Sequence, residues 1–434
     1  MLKRIIFFIC YIGYAVLLYI FYTMYLLKVY VHDHFYNNMT KGSLAISIVL
    51  LFFVGLYVFK KRIKTPSDVV VYSLVLINLV PNIVLYAFMP ISPWFLTALV
   101  VYWCLLLSIS SLFNRYSING TRIKSPNNSI FIVVISILSL FTILFVGLRF
   151  TGFSFDLSSV YTQRSLYLNA QLPTLLTYLY AAIKVFNPIV CVYFLINKKY
   201  GFALISGITQ ILAFACDGSK SSLFSFVLVI VIYLYIRISK KKIKLEKMSL
   251  FIIFGVFLLL AIGLFEQHFI KTTYVNNYVT RRLLFVPAQL NEFYFDFFES
   301  HVPDFFRQSF LRHFGFASPY NRDIANIIGA NYFNTPDQMC NNGLLSDAFM
   351  NFGFVGVFIM PFLVFLFLKL FNRCADHLDQ IYLIPCFVSI VYTFLSSSLF
   401  TVLLTHGFLF TCIILLMLPR RRRAINEKKC INCC

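Results

Sequence analysis

Charge is scarce in this chain. Charged residues make up 12% of its 434 positions, and only 16 of them are acidic against 37 Lys and Arg. A soluble domain carries roughly 25% charged residues, so a water-solvated globular fold is excluded. Paired cysteine motifs are missing too. The eleven cysteines are scattered along the apolar runs, apart from Cys340 in a long polar stretch and a cluster of Cys430, Cys433 and Cys434 at the end. The terminal Cys430-x-x-Cys433 has no second pair to complete a zinc site. No internal repeat is visible, and no glycine-rich phosphate loop is complete.

What is present is apolar. Hydrophobic residues reach 60% and the mean hydropathy is +0.82. The apolar runs are about 20 residues long, the length that crosses a hydrocarbon core of ~30 Å. They predict an all-α polytopic membrane protein with about twelve transmembrane helices, at 5–27, 44–59, 69–89, 94–113, 129–148, 174–196, 202–217, 221–237, 249–265, 346–371, 381–396 and 400–418. The first run lacks a small-residue cleavage pattern and reads as a span, not as a cleaved signal.

The net charge of +21 reports orientation. Lys60-Lys61-Arg62-x-Lys64, Arg115 with Arg122 and Lys124, Lys198-Lys199, Lys240-Lys241-Lys242-x-Lys244, Arg373 and Arg420 to Arg423 all fall on the even-numbered connections or the C-terminal tail. Basic residues stay cytoplasmic, so both termini are expected in the cytoplasm and no nucleic acid is needed to explain the charge.

The longest polar stretch, 266–345, divides the chain into nine spans (1–265), a large external loop, three spans (346–418) and a basic tail (419–434). A polar segment of that length between spans is far beyond an ordinary connection, so it is the expected seat of function. It holds Arg281 and Arg282, His301 and His313, and seven acids. Pro287 is placed to open a helix running to about Glu299, with Glu292, Asp296 and Glu299 on one face and Leu290, Phe293, Phe297 and Phe298 on another. Such short amphipathic helices would pack across the mouth of the bundle. The acidic stripe reads either as a solvated face or as a sugar- or proton-handling one.

The remaining candidates lie in shorter connections. Arg149 emerges at the end of a span and Arg164 sits mid-loop in an otherwise nearly uncharged stretch. An arginine fork suits bidentate phosphate contact, or the residue is simply solvated by headgroups. Asp217-Gly218-Ser219-Lys220-Ser221-Ser222 reads as a tight turn, with Ser221 or Ser222 capping the next helix and Lys220 beside its free amides. Lys184 is the one basic residue near mid-span. His32-Asp33-His34 is a weak metal pattern whose ordinary reading is a solvated loop. Gly353 and Gly356 are expected to permit tight helix packing.

Four features resemble the bacterial O-antigen and capsule repeat-unit polymerases, the Wzy family. They are the dozen-span layout with its largest external loop late in the chain, and Gly218-Ser219-Lys220-Ser221. The others are Arg281-Arg282-Leu-Leu-Phe-Val-Pro287 with Tyr294-Phe-Asp-Phe-Phe298, and Asn342-Gly343-Leu-Leu-Ser-Asp347 running on to Gly353 and Gly356. The resemblance implies a GT-C-like glycosyltransferase of the bacterial inner membrane acting on its periplasmic face. Donor and acceptor would both be oligosaccharides on undecaprenyl pyrophosphate, with no cofactor or metal. A flippase and a chain-length regulator would be its partners, with membrane lipid around it. Such a site needs a base for the acceptor hydroxyl and cations for the departing pyrophosphate. His313 is the expected base, with Asp323 or Glu292 as substitutes. Arg281, Arg282 and Arg164 are the expected pyrophosphate ligands, with Lys220 and Arg149 as helpers. An O-antigen ligase shares the layout and donor. A lipid-linked oligosaccharide flippase is the alternative from another class.

Overall fold

The computed structural model describes residues 2–30, 33–115, 129–156, 159–239, 245–309 and 311–420. The His32 end of the histidine pair, Arg122, Lys124, the basic run at 240–244, Arg421 to Arg423 and the terminal cysteines lie outside those residues. Among the described residues every regular element is helical and none is a strand. Among the described residues ten helices are long and apolar enough to cross a membrane, which makes this a multi-pass membrane protein. The other two expected spans are shorter apolar helices at Ser222–Ile238 and Gln380–Ser396.

The chain forms two compact units. Unit 1 comprises Met1–Asn119, Ile243–Leu370 and Ser389–His406; unit 2 comprises Gly120–Lys242, Phe371–Val388 and Gly407–Cys434.

Unit 1 is built around the span Pro66–Phe88, which is buried from Ser67 onward. Pro81 cannot donate the hydrogen bond an α-helix needs. The helix answers by widening into a π-helical turn over Val75–Leu79. Asn82 then donates its Nδ2 to the Asn78 carbonyl at 2.8 Å. The polar segment folds onto this span. Pro287 stands in the first turn of a helix at Val286–Ser300, close to the bounds the sequence predicted. Its residues from Pro287 to Asn291 are all buried, as are Phe293 to Phe295, Phe297 and Phe298.

Neutral polar groups seat that helix. Asn342 Nδ2 donates to the Pro287 carbonyl (2.9 Å), to Asn291 Oδ1 (3.1 Å) and to Ser346 Oγ (2.8 Å). Ser346 Oγ in turn donates to Asn291 Oδ1 at 2.8 Å. Asn291 Nδ2 lies 3.5 Å from the side-chain oxygens of both Asn78 and Asn82. Buried amides left unpaired would each cost about 1–3 kcal/mol, so the set locks the polar segment to the spans.

The span after the polar segment is broken. Its first helix, Leu345–Phe352, ends at Gly353 with φ +56°, and Gly356–Cys374 follows a short 3₁₀ turn. A Cβ on Gly356 would stand 2.1 Å from the Ala348 carbonyl oxygen. These glycines therefore make the break within one span, a role the sequence pattern assigned to packing between helices.

In unit 2, Tyr200–Asp217 packs on Thr174–Ile196 and on Ser129–Val146. Gly218 is left-handed (φ +63°), and a Cβ there would meet the Val160 carbonyl oxygen at 2.6 Å. The turn therefore requires glycine twice over, by conformation and by space.

Candidate functional site

The predicted site residues divide between the units. Arg281, Arg282, Glu292, His313 and Asp323 belong to unit 1; Arg149, Arg164 and Lys220 belong to unit 2.

In unit 1 the Val286–Ser300 helix carries the site. Positions 289, 292, 293 and 296 share a face by helical spacing. Each neighbour of Glu292 on that face is engaged. Gln289 Nε2 donates to the Asp33 carbonyl at 2.6 Å. Phe293 stacks on Tyr332 with ring centroids 4.4 Å apart, and meets His34 and Phe333 edge-on. Asp296 Oδ2 accepts the Tyr332 hydroxyl at 2.6 Å. Glu292 itself is half-buried in this surround. Loss of water, and then the nearby Asp296 carboxylate, push its carboxyl up from 4.5 to about 8. Burial and the same carboxylate push the Tyr332 phenol up as well. A carboxyl poised near neutral pH, in the chain's one long polar segment, is suited to take or hold a proton.

The two arginines ahead of this helix differ sharply. Both lie on a π-helical stretch, Asn276–Phe285. Arg281 is partly buried and satisfied. Its Nη1 pairs with Asp33 Oδ2 at 2.8 Å, its Nε donates to Asn277 Oδ1 at 3.3 Å, and its guanidinium lies 4.0 Å from the Tyr30 ring centroid. Arg282 is exposed, with no ion pair among the described residues. Arg281 is thus a structural tie to the first connection, and Arg282 presents a free fork.

Asp323 is exposed at the start of the helix Ile324–Phe333, where its main-chain carbonyl accepts from the Asn326 and Ile327 amides. His313 lies in the short turn Leu311–Phe314, and its side chain is outside the described set. His301 is anchored: it stacks on Phe297 at 3.9 Å and its Nδ1 bonds the Phe297 carbonyl at 2.8 Å. His34, the described half of the histidine pair, bonds the Tyr36 hydroxyl through Nδ1 at 2.6 Å. Among the described residues no group of three His, Cys, Asp or Glu side chains could hold a metal.

In unit 2 the predicted cations gather at one end. Gln163 is the staple. Its buried amide donates to the carbonyls of Thr151 (3.1 Å), Gly152 (3.3 Å) and Cys216 (3.0 Å). It thereby fastens the helix Val160–Asn169 to the ends of two spans. Arg164 follows Gln163 on that helix and is exposed, so it stands on a helix where the sequence suggested an irregular loop. Arg149 is exposed on the π-helical turn Gly147–Thr151. Lys220 opens the helix Lys220–Ser239 just beyond Cys216.

Beneath them Lys184 pairs with Asp217, which also accepts the Ser219 amide at 2.9 Å. Sequence reading treated Lys184 and Asp217 separately; only helix packing joins residues 33 apart. Ser222 does not cap. It is the third residue of its helix, and its Oγ accepts from Gln210 Nε2 at 2.8 Å. Asn291 was missed from the sequence, and Asp33 and the buried Asp347 were named there only within motifs, without the roles they take. Asp347 accepts the Leu399 amide (2.7 Å) and Asn351 Nδ2 (2.8 Å). The signal available was polar residues in apolar spans, such as Asn78 and Asn82 one turn apart.

No family model, curated protein or solved structure matches the chain.

Proposed function

We propose that this protein polymerises lipid-linked oligosaccharide repeat units on the outer face of a bacterial inner membrane. The growing glycan on undecaprenyl pyrophosphate is transferred to a new lipid-linked unit, through twelve spans with both termini cytoplasmic. The resemblance of the Arg281–Phe298 and Asn342–Gly356 stretches to repeat-unit polymerases supports this reading, and so does the positive-inside pattern. The observation that carries it is Glu292, a carboxyl raised to about 8 within a long polar segment seated on the spans.

The acceptor hydroxyl attacks the anomeric carbon of the donor. Its proton passes to a base, and the bond to pyrophosphate breaks. Glu292 is the base favoured by its environment, ahead of Asp323; His313 is the alternative on histidine chemistry alone. The charge that develops on pyrophosphate needs cations that are not already neutralised. Arg282 meets that need in unit 1 and the exposed Arg149 and Arg164 are the candidates in unit 2, with Lys220 adding positive charge at the head of the Lys220–Ser239 helix. Arg281 acts differently, holding the segment to the first connection through Asp33.

Arg282→Ala and Glu292→Gln should each remove polymer from the host while protein level stays normal. If both keep a full glycan ladder, the site assignment fails. If His313→Ala alone removes it, the base is His313.

A further inference from the structure

One groove in unit 1 belongs to none of the groups above. It lies where the polar-segment helix crosses the starts of two spans, and it has a volume of about 380 Å³. Trp94, Phe295, Phe298, Phe349, Phe354 and Glu299 line it. Small-molecule sites span roughly 300–1,000 Å³, so the space suits one compact unit.

The lining is aromatic even for a chain that is 18% Phe, Trp and Tyr. Its spans are dominated by branched aliphatic side chains, yet this groove is walled by five aromatic rings and one carboxylate. Three rings are fixed. Phe295, Phe298 and Phe349 are buried, and Phe295 meets Phe349 edge-on at 5.0 Å. The rim is open: Trp94 is 64% exposed, Phe354 is 45% exposed, and Glu299 is exposed.

Three ligand chemistries can be compared on these groups. An isoprenoid tail would gain from the rings but would have to cover the Glu299 carboxylate, and burying an unpaired charge is costly. A phosphate would be repelled by it. A sugar fits both features. Its C–H face carries partial positive charge that matches the negative face of an aromatic ring, and its hydroxyls donate to a carboxylate, which has only acceptors.

We infer that this groove binds a neutral sugar ring, with its C–H face against Trp94 and its hydroxyls on the Glu299 carboxylate. Resting on the proposed function, the ring is one residue of the repeat-unit oligosaccharide. The groove holds the glycan while Glu292, two turns earlier on the same helix, handles the proton.

The chain offers its own reporter. It has two tryptophans, and Trp103 is 1% exposed, so a ligand in the groove changes only Trp94 emission. The full chain in detergent is titrated with the oligosaccharide released from the host's surface glycan, and in parallel with farnesyl phosphate. The expected result is a saturable emission change with oligosaccharide, absent with farnesyl phosphate and absent in Trp94→Phe. Glu299→Gln, at an exposed position, should weaken binding about tenfold without shifting the melting temperature. A response to farnesyl phosphate alone, or to neither probe, overturns the inference, as does unchanged affinity in Glu299→Gln. Failure here, in a host whose glycan ladder still depends on the gene, would strike the groove alone. Sugar binding by a chain whose deletion leaves the ladder intact would strike the polymerase reading and leave the groove.

Discussion

The two candidate sites are fixed to their spans in different ways. In unit 1 the groups that seat the polar-segment helix are neutral: Asn78, Asn82, Asn291, Asn342 and Ser346 bond one another around it, while a buried ion pair of the same unit, Lys61 with Asp68, lies elsewhere in the chain. In unit 2 the buried set includes a full ion pair, Lys184 with Asp217. Beside it Asn187 donates to Gln210, which donates to the Lys184 carbonyl at 3.2 Å. The difference teaches how each end is fixed. Neutral amides can seat a helix and leave its carboxylates on the open face. A buried ion pair places charge inside the unit, and it is tolerated only while both partners remain.

The sharpest way to break this comparison is to remove one partner of the pair. Lys184→Met leaves Asp217 uncompensated and should destabilise the protein by about 3–5 kcal/mol, while adding Asp217→Leu should recover most of that loss. Thermal unfolding in detergent measures both. Equal stability of the single and double variants would mean the pair is not buried as described.

Asn291→Leu is the matching test in unit 1. It removes the acceptor of the Ser346 hydroxyl and one of the three acceptors of the Asn342 amide, and should cost about 1–3 kcal/mol. A loss as large as that from Lys184→Met would erase the contrast between a helix seated by neutral amides and an end fixed by an ion pair.

The adjacent arginines sharpen the point on a smaller scale. Arg281→Ala breaks the Asp33 pair and the Tyr30 contact, and should lower stability by about 1–2 kcal/mol. Arg282→Ala should change stability by less than about 0.5 kcal/mol while removing polymer. Parallel unfolding curves and glycan gels would show the two effects separating; a swap between them would reverse the assignment.

A further effect is in pH. The folded state holds the Glu292 proton up to about 8, against 4.5 when unfolded. Between those values the folded form binds more protons, so this group's stabilisation is complete below the lower value and is lost as pH rises. The melting temperature should therefore fall across that window, and Glu292→Gln should flatten the slope. If activity needs the ionised carboxylate, turnover should rise over the same range.

Much of the fold is legible in the sequence because the signal is local. Apolar runs of membrane-spanning length give the ten long helices, and Pro287 marks the start of the Val286–Ser300 helix. Gly218 announces its turn for the same reason. The site is less legible because its decisive contacts are remote. Arg281 looks identical to Arg282 until Asp33, 248 residues away, is packed beside it. Glu292 looks like one more residue of a solvated acidic stripe until Phe293, Tyr332 and Asp296 close around it. Gly353 and Gly356 are a packing motif by spacing alone; only the carbonyl of Ala348 shows that they break a span.

The central claim is the transfer of one lipid-linked glycan to another, and deleting the gene in its native host tests it most directly. The account predicts that the surface-glycan ladder disappears and lipid carrying a single repeat unit remains. Polymer accumulating on undecaprenyl pyrophosphate, with no capped lipid, would contradict it in favour of a ligase. Single units trapped on the cytoplasmic side would contradict it in favour of a flippase.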